Sequence, residues 1–287
     1  MKRILTATVL IAIVFGLIFF GKWWMITLAA AIVAELATYE YLKLAAVGAE
    51  AHGAHLRIPI WWMTIATVVA FAVTLPNFPV DAQLPVLSGL TLILFAWNGF
   101  TAPLIQVLPD TAQGLFGLIW IAYPLTLVPL LWKQDDGPAL VVFLMLCVWC
   151  GDIAALYIGK TFGKHKLAPH LSPGKTWEGS IASIAGSLLA AGTLIWVADT
   201  LTARGNLILH ITEPIWQTLA LAAILNIAAQ LGDLLESAIK RGAGVKDSGT
   251  MLPGHGGILD RIDALLVAAP VLWFALVIKD YLGLGRF

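Results

Sequence analysis

Nine apolar runs follow one another along this chain, near residues 4–20, 23–47, 58–76, 84–107, 112–132, 138–158, 179–198, 215–236 and 259–279. Each approaches the roughly 20 residues that a helix needs to cross about 30 Å of hydrocarbon. The expected fold is therefore all-α, a polytopic integral membrane protein of about nine transmembrane helices. Charged residues make up only 12% of the 287 positions and mean hydropathy is +0.88, outside the range of soluble domains. The first 20 residues have the basic start and apolar run of a signal peptide. No small-residue cleavage site follows them, and Gly21, Lys22, Trp23 and Trp24 come next, so they are read as a retained first helix.

Basic residues are retained on the cytoplasmic side of a membrane. With the N-terminus inside, that side holds Lys2, Arg3, Lys43, Arg57, Lys160, Lys164, Lys166, Lys175, Lys240, Arg241, Lys246 and Arg261, and the other side only Lys22, Lys133, Arg204, Lys279 and Arg286. A multi-pass protein of the cell (inner) membrane is expected, with the N-terminus and the active site cytoplasmic. Residues 1–135 then form an N-terminal region of about five helices. Residues 136–287 form a C-terminal region that carries both charged inner loops, 160–178 and 237–259, separated by one helix pair and so able to meet.

Formal net charge is zero, which gives no global field for nucleic acid or an acidic partner. The only cysteines, Cys147 and Cys150, form a lone CVWC in an apolar run, too few ligands for a metal centre and read as small buried residues. P-loop, HExxH and G-x-S-x-G patterns are absent from the sequence. Chemistry concentrates between Gly232 and Asp263, which hold nine charged residues and His255. So many ions beside lipid must pair with one another, a metal or a charged ligand.

Asp233, Glu236, Ser237 and Lys240 stand at i, i+3, i+4 and i+7, one stripe of a helix that continues the preceding apolar run. Glu236 and Lys240 also suit a plain i, i+4 salt bridge. Asp233, a turn deeper, is expected to need a cation other than a side chain. Glycines 242, 244, 249, 254, 256 and 257 allow close backbone approach to an anion, with Lys246, His255 and Arg261 supplying positive charge. The plain alternative is a flexible connection. Asp260 and Asp263 lie one turn apart at the start of the last helix, where the helix dipole favours carboxylates. Hard oxygen donors without a Cys or His cluster suit Mg²⁺ or Mn²⁺. The inner loop KTFGKHKLAPHLSPGKTWEG, from Lys160, suits anions or lipid head groups, and Asp152 precedes it at the membrane edge.

The pattern Ser-x-x-Lys-Arg, four residues, Lys-Asp, then Pro-x-His-Gly-Gly-x-x-Asp-Arg-x-Asp is met by Ser237, Lys240, Arg241, Lys246, Asp247, Pro253, His255, Gly256, Gly257, Asp260, Arg261 and Asp263. It resembles the signature of the phosphatidate cytidylyltransferases, or CDP-diacylglycerol synthases. Residues 163–179 resemble that family's second motif. After Asp152 the chain departs from the family pattern, with Ile153 at a hydroxyl position and Tyr157 displaced by one.

The resemblance implies transfer of cytidylate from CTP to phosphatidate, giving CDP-diacylglycerol and pyrophosphate, with Mg²⁺ or Mn²⁺ as cofactor. It implies Asp233, Asp260 and Asp263 as metal ligands, and Asp233, Asp260, Lys246, Asp247 and Arg261 in the reaction. Ser172, Lys175, Ser237, Lys240, Arg241, His255, Gly256 and Gly257 would hold substrate. The expected partners are CTP, phosphatidate and membrane lipid, without nucleic acid; a homodimer is compatible with the sequence. The rivals are a CTP-dependent polyprenol- or phytol-type lipid kinase and a membrane transporter.

Overall fold

The computed structural model describes residues 2–51, 53–75, 78–211, 213–251 and 256–283, apart from the side chains of residues 2–7 and 80. In chain order the helices are α1 (Lys2–Phe20), α2 (Trp23–Ala51), α3 (Ile60–Ala72), α4 (Val80–Thr101), α5 (Leu104–Gly117), α6 (Tyr123–Trp132), α7 (Gly137–Phe162), α8 (Trp177–Ala203), α9 (Ile215–Gly242) and α10 (Leu259–Tyr281). A π-helical turn, Leu118–Ala122, joins α5 to α6. Strands β1 (Lys166–Ala168) and β2 (Ser172–Thr176) pair antiparallel between α7 and α8.

The chain is a helical integral membrane protein, with two differences from the expected pattern. Among the described residues seven helical rods are long and apolar enough to cross a membrane, and α3, Ile60–Ala72, is shorter. At 1.5 Å per residue α3 spans only about 20 Å, because Pro59 sets its start and the chain leaves it at Val73. The break expected between residues 107 and 112 falls instead at Ala102–Pro103. Proline there cannot continue the preceding hydrogen-bond ladder, whereas Pro109 is absorbed within α5. The loop at 160–178 folds into the β1–β2 hairpin.

Compactness divides the chain into two units, each drawing on sequence from both sides of residue 135: one comprises residues 1–7, 24–126 and 239–261, the other residues 8–23, 127–238 and 262–287. In the first, Ala30, Ala34, Ala37 and Tyr41 form a buried stripe of α2 at helical spacing. The Tyr41 hydroxyl donates to the Gln113 carbonyl at 2.9 Å, and a Cβ on Gly117 would lie 2.7 Å from its ring. Trp62 of α3 is 1% exposed and donates its indole N–H to the Leu90 carbonyl at 3.1 Å, so its polar edge is satisfied inside an apolar contact.

In the second unit, Leu131, Val141, Leu144, Cys147, Leu194, Leu225 and Leu272 share one core. Small residues let α7 and α8 approach closely, as in helix pairs packed without a hydrophobic driving force. A Cβ on Gly186 would lie 2.7 Å from Ala154 Cβ and 2.8 Å from the Cys150 carbonyl oxygen. Asn226 of α9, buried among apolar side chains, donates to Ser183 Oγ at 2.9 Å and Ser187 Oγ at 2.7 Å. These bonds remove most of the penalty of burying an amide.

Candidate active site

α9 is where the two chemically rich segments acquire geometry. It runs unbroken through the stripe Asp233, Glu236, Ser237, Lys240 and ends at Gly242. Glu236, Ser237 and Lys240 are buried, whereas Asp233 opens on a cleft of about 470 Å³. The cleft lies among α7, the hairpin, α8 and α9. Its polar lining is Asp152, Lys160, Lys175, Ser180, Ser183, Gln230 and Asp233, and Ala155, Leu156 and Leu167 supply an apolar wall.

The hairpin aims Lys175 into this cleft. Lys166 pairs in register with Thr176 and Ala168 with Ser172, so β2 runs from Ser172 straight into α8. Thr176 caps α8, accepting the Gly179 N–H at 3.1 Å, and fixes the end of the strand. Glu178 accepts the His165 backbone N–H at 3.2 Å, closing the hairpin at its base. Lys175 Nζ then lies 2.7 Å from Asp233 Oδ2. Folding of the 160–178 loop thus brings to Asp233 a lysine that helix spacing could not reveal. Ser172 sits at the far end of the strand and does not line the cleft.

The second ion pair joins Lys240 to Asp260, Nζ to Oδ1, at 2.6 Å. Both side chains are about nine-tenths buried, 10% and 9% exposed. The other carboxylate oxygen of Asp260 accepts backbone N–H groups from Ser248 at 3.0 Å and Gly257 at 2.9 Å. Gly256, at φ +82°, makes the left-handed turn that delivers this geometry. Two backbone N–H groups, of Ser248 and Gly257, thus meet the carboxylate of Asp260. Lys240, one turn from Glu236 on α9, reaches across to Asp260 of α10.

Asp263 follows one turn later on α10, its Oδ1 accepting the Ala264 N–H at 2.8 Å. Gly232 lets α9 and α10 touch here, since a Cβ on it would lie 2.5 Å from the Asp263 carbonyl oxygen. The backbones that carry Asp233 and Asp263 are therefore adjacent. Arg241 is exposed and donates to the Val245 carbonyl at 2.7 Å, and Lys246, Asp247 and Arg261 are exposed as well. His255 and Pro253 lie outside the described residues.

Comparison with known proteins decides what this arrangement belongs to. The cytidylyltransferase family pattern matches residues 1–279. The chain belongs to the cytidylyltransferase family. A relative named phosphatidate cytidylyltransferase from Pseudomonas aeruginosa is 36% identical over 96% of the chain and 97% of its own length. One of the same name from Synechocystis is 29% identical over 96% of each. One from Brucella suis is 43% identical over 164 residues, so the chain spans only 55% of that relative's length.

In this cytidylyltransferase-family chain, three carboxylates suit a divalent cation in donor type, being hard oxygens on two contacting helices. Among the described residues no three acidic, histidine or cysteine side chains converge on one point. Lysine ammonium groups lie beside Asp233 and Asp260.

One residue escaped the reading of the sequence. Glu40 of α2 is 1% exposed and binds the signature segment through Ser248 and Leu259. An acid inside a long apolar run is itself a signal, because such groups need a partner. Nothing in the spacing, however, says that the partner lies more than 200 residues away.

Proposed function

We propose that this chain is a phosphatidate cytidylyltransferase of the inner membrane, with its charged site on the cytoplasmic side. The observation that carries the reading is the end of α9, where Asp233 and Lys240 stand two turns apart and each holds an opposite charge from another segment, Lys175 and Asp260. The names of its full-length relatives support the choice of CTP and phosphatidate.

A phosphate oxygen of phosphatidate attacks the α-phosphorus of CTP. The new phosphorus–oxygen bond forms as the bond from the α-phosphorus to the bridging oxygen of the β-phosphate breaks, and pyrophosphate departs with the electron pair. The nucleophile is already an anion, so no general base is needed and catalysis consists of alignment and charge neutralisation. Incoming phosphates compete with Asp233 and Asp260 for Lys175 and Lys240, which become phosphate ligands. Lys246, Arg241 and Arg261 add positive charge from the exposed side, and His255 with the Gly256 and Gly257 backbone belongs to the same phosphate-binding set. Asp233, Asp260 and Asp263 would hold Mg²⁺ or Mn²⁺, whose charge offsets that of the triphosphate oxygens.

Purified chain incubated with α-labelled CTP, phosphatidate and Mg²⁺ is expected to give a labelled liponucleotide and one pyrophosphate per turnover. Transfer of the γ-phosphoryl group with release of CDP would instead identify a lipid kinase, and no transfer at all would return the transporter reading. Lys246→Ala is expected to raise KM for CTP by roughly three- to tenfold, the scale of one exposed charge contact of about 1 kcal/mol. An unchanged dependence of rate on CTP concentration would remove Lys246 from the phosphate site.

A further inference from the structure

Glu40 is a buried ion that no step above uses. A carboxylate taken out of water is costly unless donors meet it. Its Oε2 accepts the backbone N–H of Leu259 at 2.9 Å and the hydroxyl of Ser248 at 3.2 Å. Ser248 passes the connection on: its Oγ accepts the Asp260 N–H at 3.3 Å, and its own N–H donates to Asp260 Oδ2 at 3.0 Å. Glu40 is thus bonded to the residue before Asp260 and, through one hydroxyl, to Asp260 itself.

The glycines of the segment fit the same carboxylate. A Cβ on Gly249 would lie 2.3 Å from Glu40 Oε1, and one on Gly257 would lie 2.4 Å from Glu40 Oε2 and 2.0 Å from Ser248 Oγ. Real side chains do not approach so closely. The space that side chains at 249 and 257 would need is filled by Glu40 and Ser248, so the helix and the glycine segment fit together as one piece.

We infer that Glu40 is a positioning residue for the cytidylyl transfer, holding Ser248 and Leu259 where they aim the Asp260 carboxylate at Lys240. The inference rests on the proposed role of Asp260 in the reaction. Misplacing a reacting or ligand group by about 1 Å can cost two orders of magnitude in rate. Glu40→Gln keeps the side-chain volume and one acceptor oxygen but loses the charge.

The test compares full-length wild type with Glu40→Gln, Glu40→Asp and Ser248→Ala in detergent with phosphatidate. For Glu40→Gln, kcat should fall by roughly 30- to 100-fold, with KM for both substrates within about threefold and the melting temperature nearly unchanged. Glu40→Asp, which retains the carboxylate, should recover part of that loss, and Ser248→Ala should lower kcat about tenfold. Hydrogen exchange at Ser248, Gly257 and Leu259 should accelerate at least about tenfold in Glu40→Gln while that of α7 and α8 stays constant. Wild-type kcat in both Glu40→Gln and Ser248→Ala overturns the inference, as does an activity loss that follows a general fall in melting temperature. If Glu40→Gln does not fold, Ser248→Ala decides. A wild-type chain that makes no liponucleotide would sink the proposed reaction, and the exchange data would still report whether Glu40 holds the segment.

Discussion

Asparagine at position 260 is expected to lower kcat by about two to three orders of magnitude and to destabilise the protein as well. Both effects follow from one geometry. Asp260 and Lys240 are 9% and 10% exposed in their side chains, and removing one partner of a buried pair takes away compensation that the other charge needs. That loss is typically about 3–5 kcal/mol, while removing a group that stabilises developing charge lowers rate by about 10²–10³-fold. Adding Lys240→Met to Asp260→Asn separates the two, because it removes the buried ammonium that Asp260 no longer meets. The double variant should regain most of the lost melting temperature and none of the lost turnover. Near-normal kcat in Asp260→Asn would remove Asp260 from the reaction.

Asp233→Asn is expected to behave differently: a comparable loss of about 10²–10³-fold in kcat, with stability changed by no more than about 1 kcal/mol. The contrast arises from exposure. Asp233 is 39% and Lys175 23% exposed at the edge of the cleft, both more than the side chains of the Lys240–Asp260 pair. Initial rates against Mg²⁺ concentration, together with thermal melts, check both parts. A large fall in melting temperature without loss of rate would make the Lys175–Asp233 pair a structural clasp rather than part of the site.

How much of this was legible in the residues follows from the range of the interactions. The stripe from Asp233 to Lys240 depends only on helical spacing, and α9 indeed runs through it to Gly242. The partners of that stripe were not readable. Lys175 reaches Asp233 because residues 166–176 form a hairpin, and strand pairing over three and five residues leaves little trace in so short a segment. Lys240 reaches Asp260 on another helix, a tertiary approach that local i, i+4 reasoning does not reveal.

The glycine segment shows the same limit from the other side. Its composition suggests backbone N–H groups gathered about an anion, and in the fold the N–H groups of Ser248 and Gly257 meet the internal carboxylate of Asp260. Glu40 could have been noticed as an acid in an apolar run. Its link to Leu259, 219 residues on, exists only once the chain is folded. The apolar runs located the helices well and their ends less well, since Pro59 and Pro103 set boundaries that hydrophobicity alone does not.

The account rests on the aspartates of α9 and α10 serving one metal-bound triphosphate. Binding of Mn²⁺–CTP to the purified chain, followed by the electron spin resonance of Mn²⁺, tests this without requiring turnover. Wild type should bind the complex, and Asp233→Asn and Asp260→Asn should each weaken that binding by at least about tenfold, the scale of one lost charge contact of about 1.4 kcal/mol. Wild-type affinity for Mn²⁺–CTP in either variant would contradict the account.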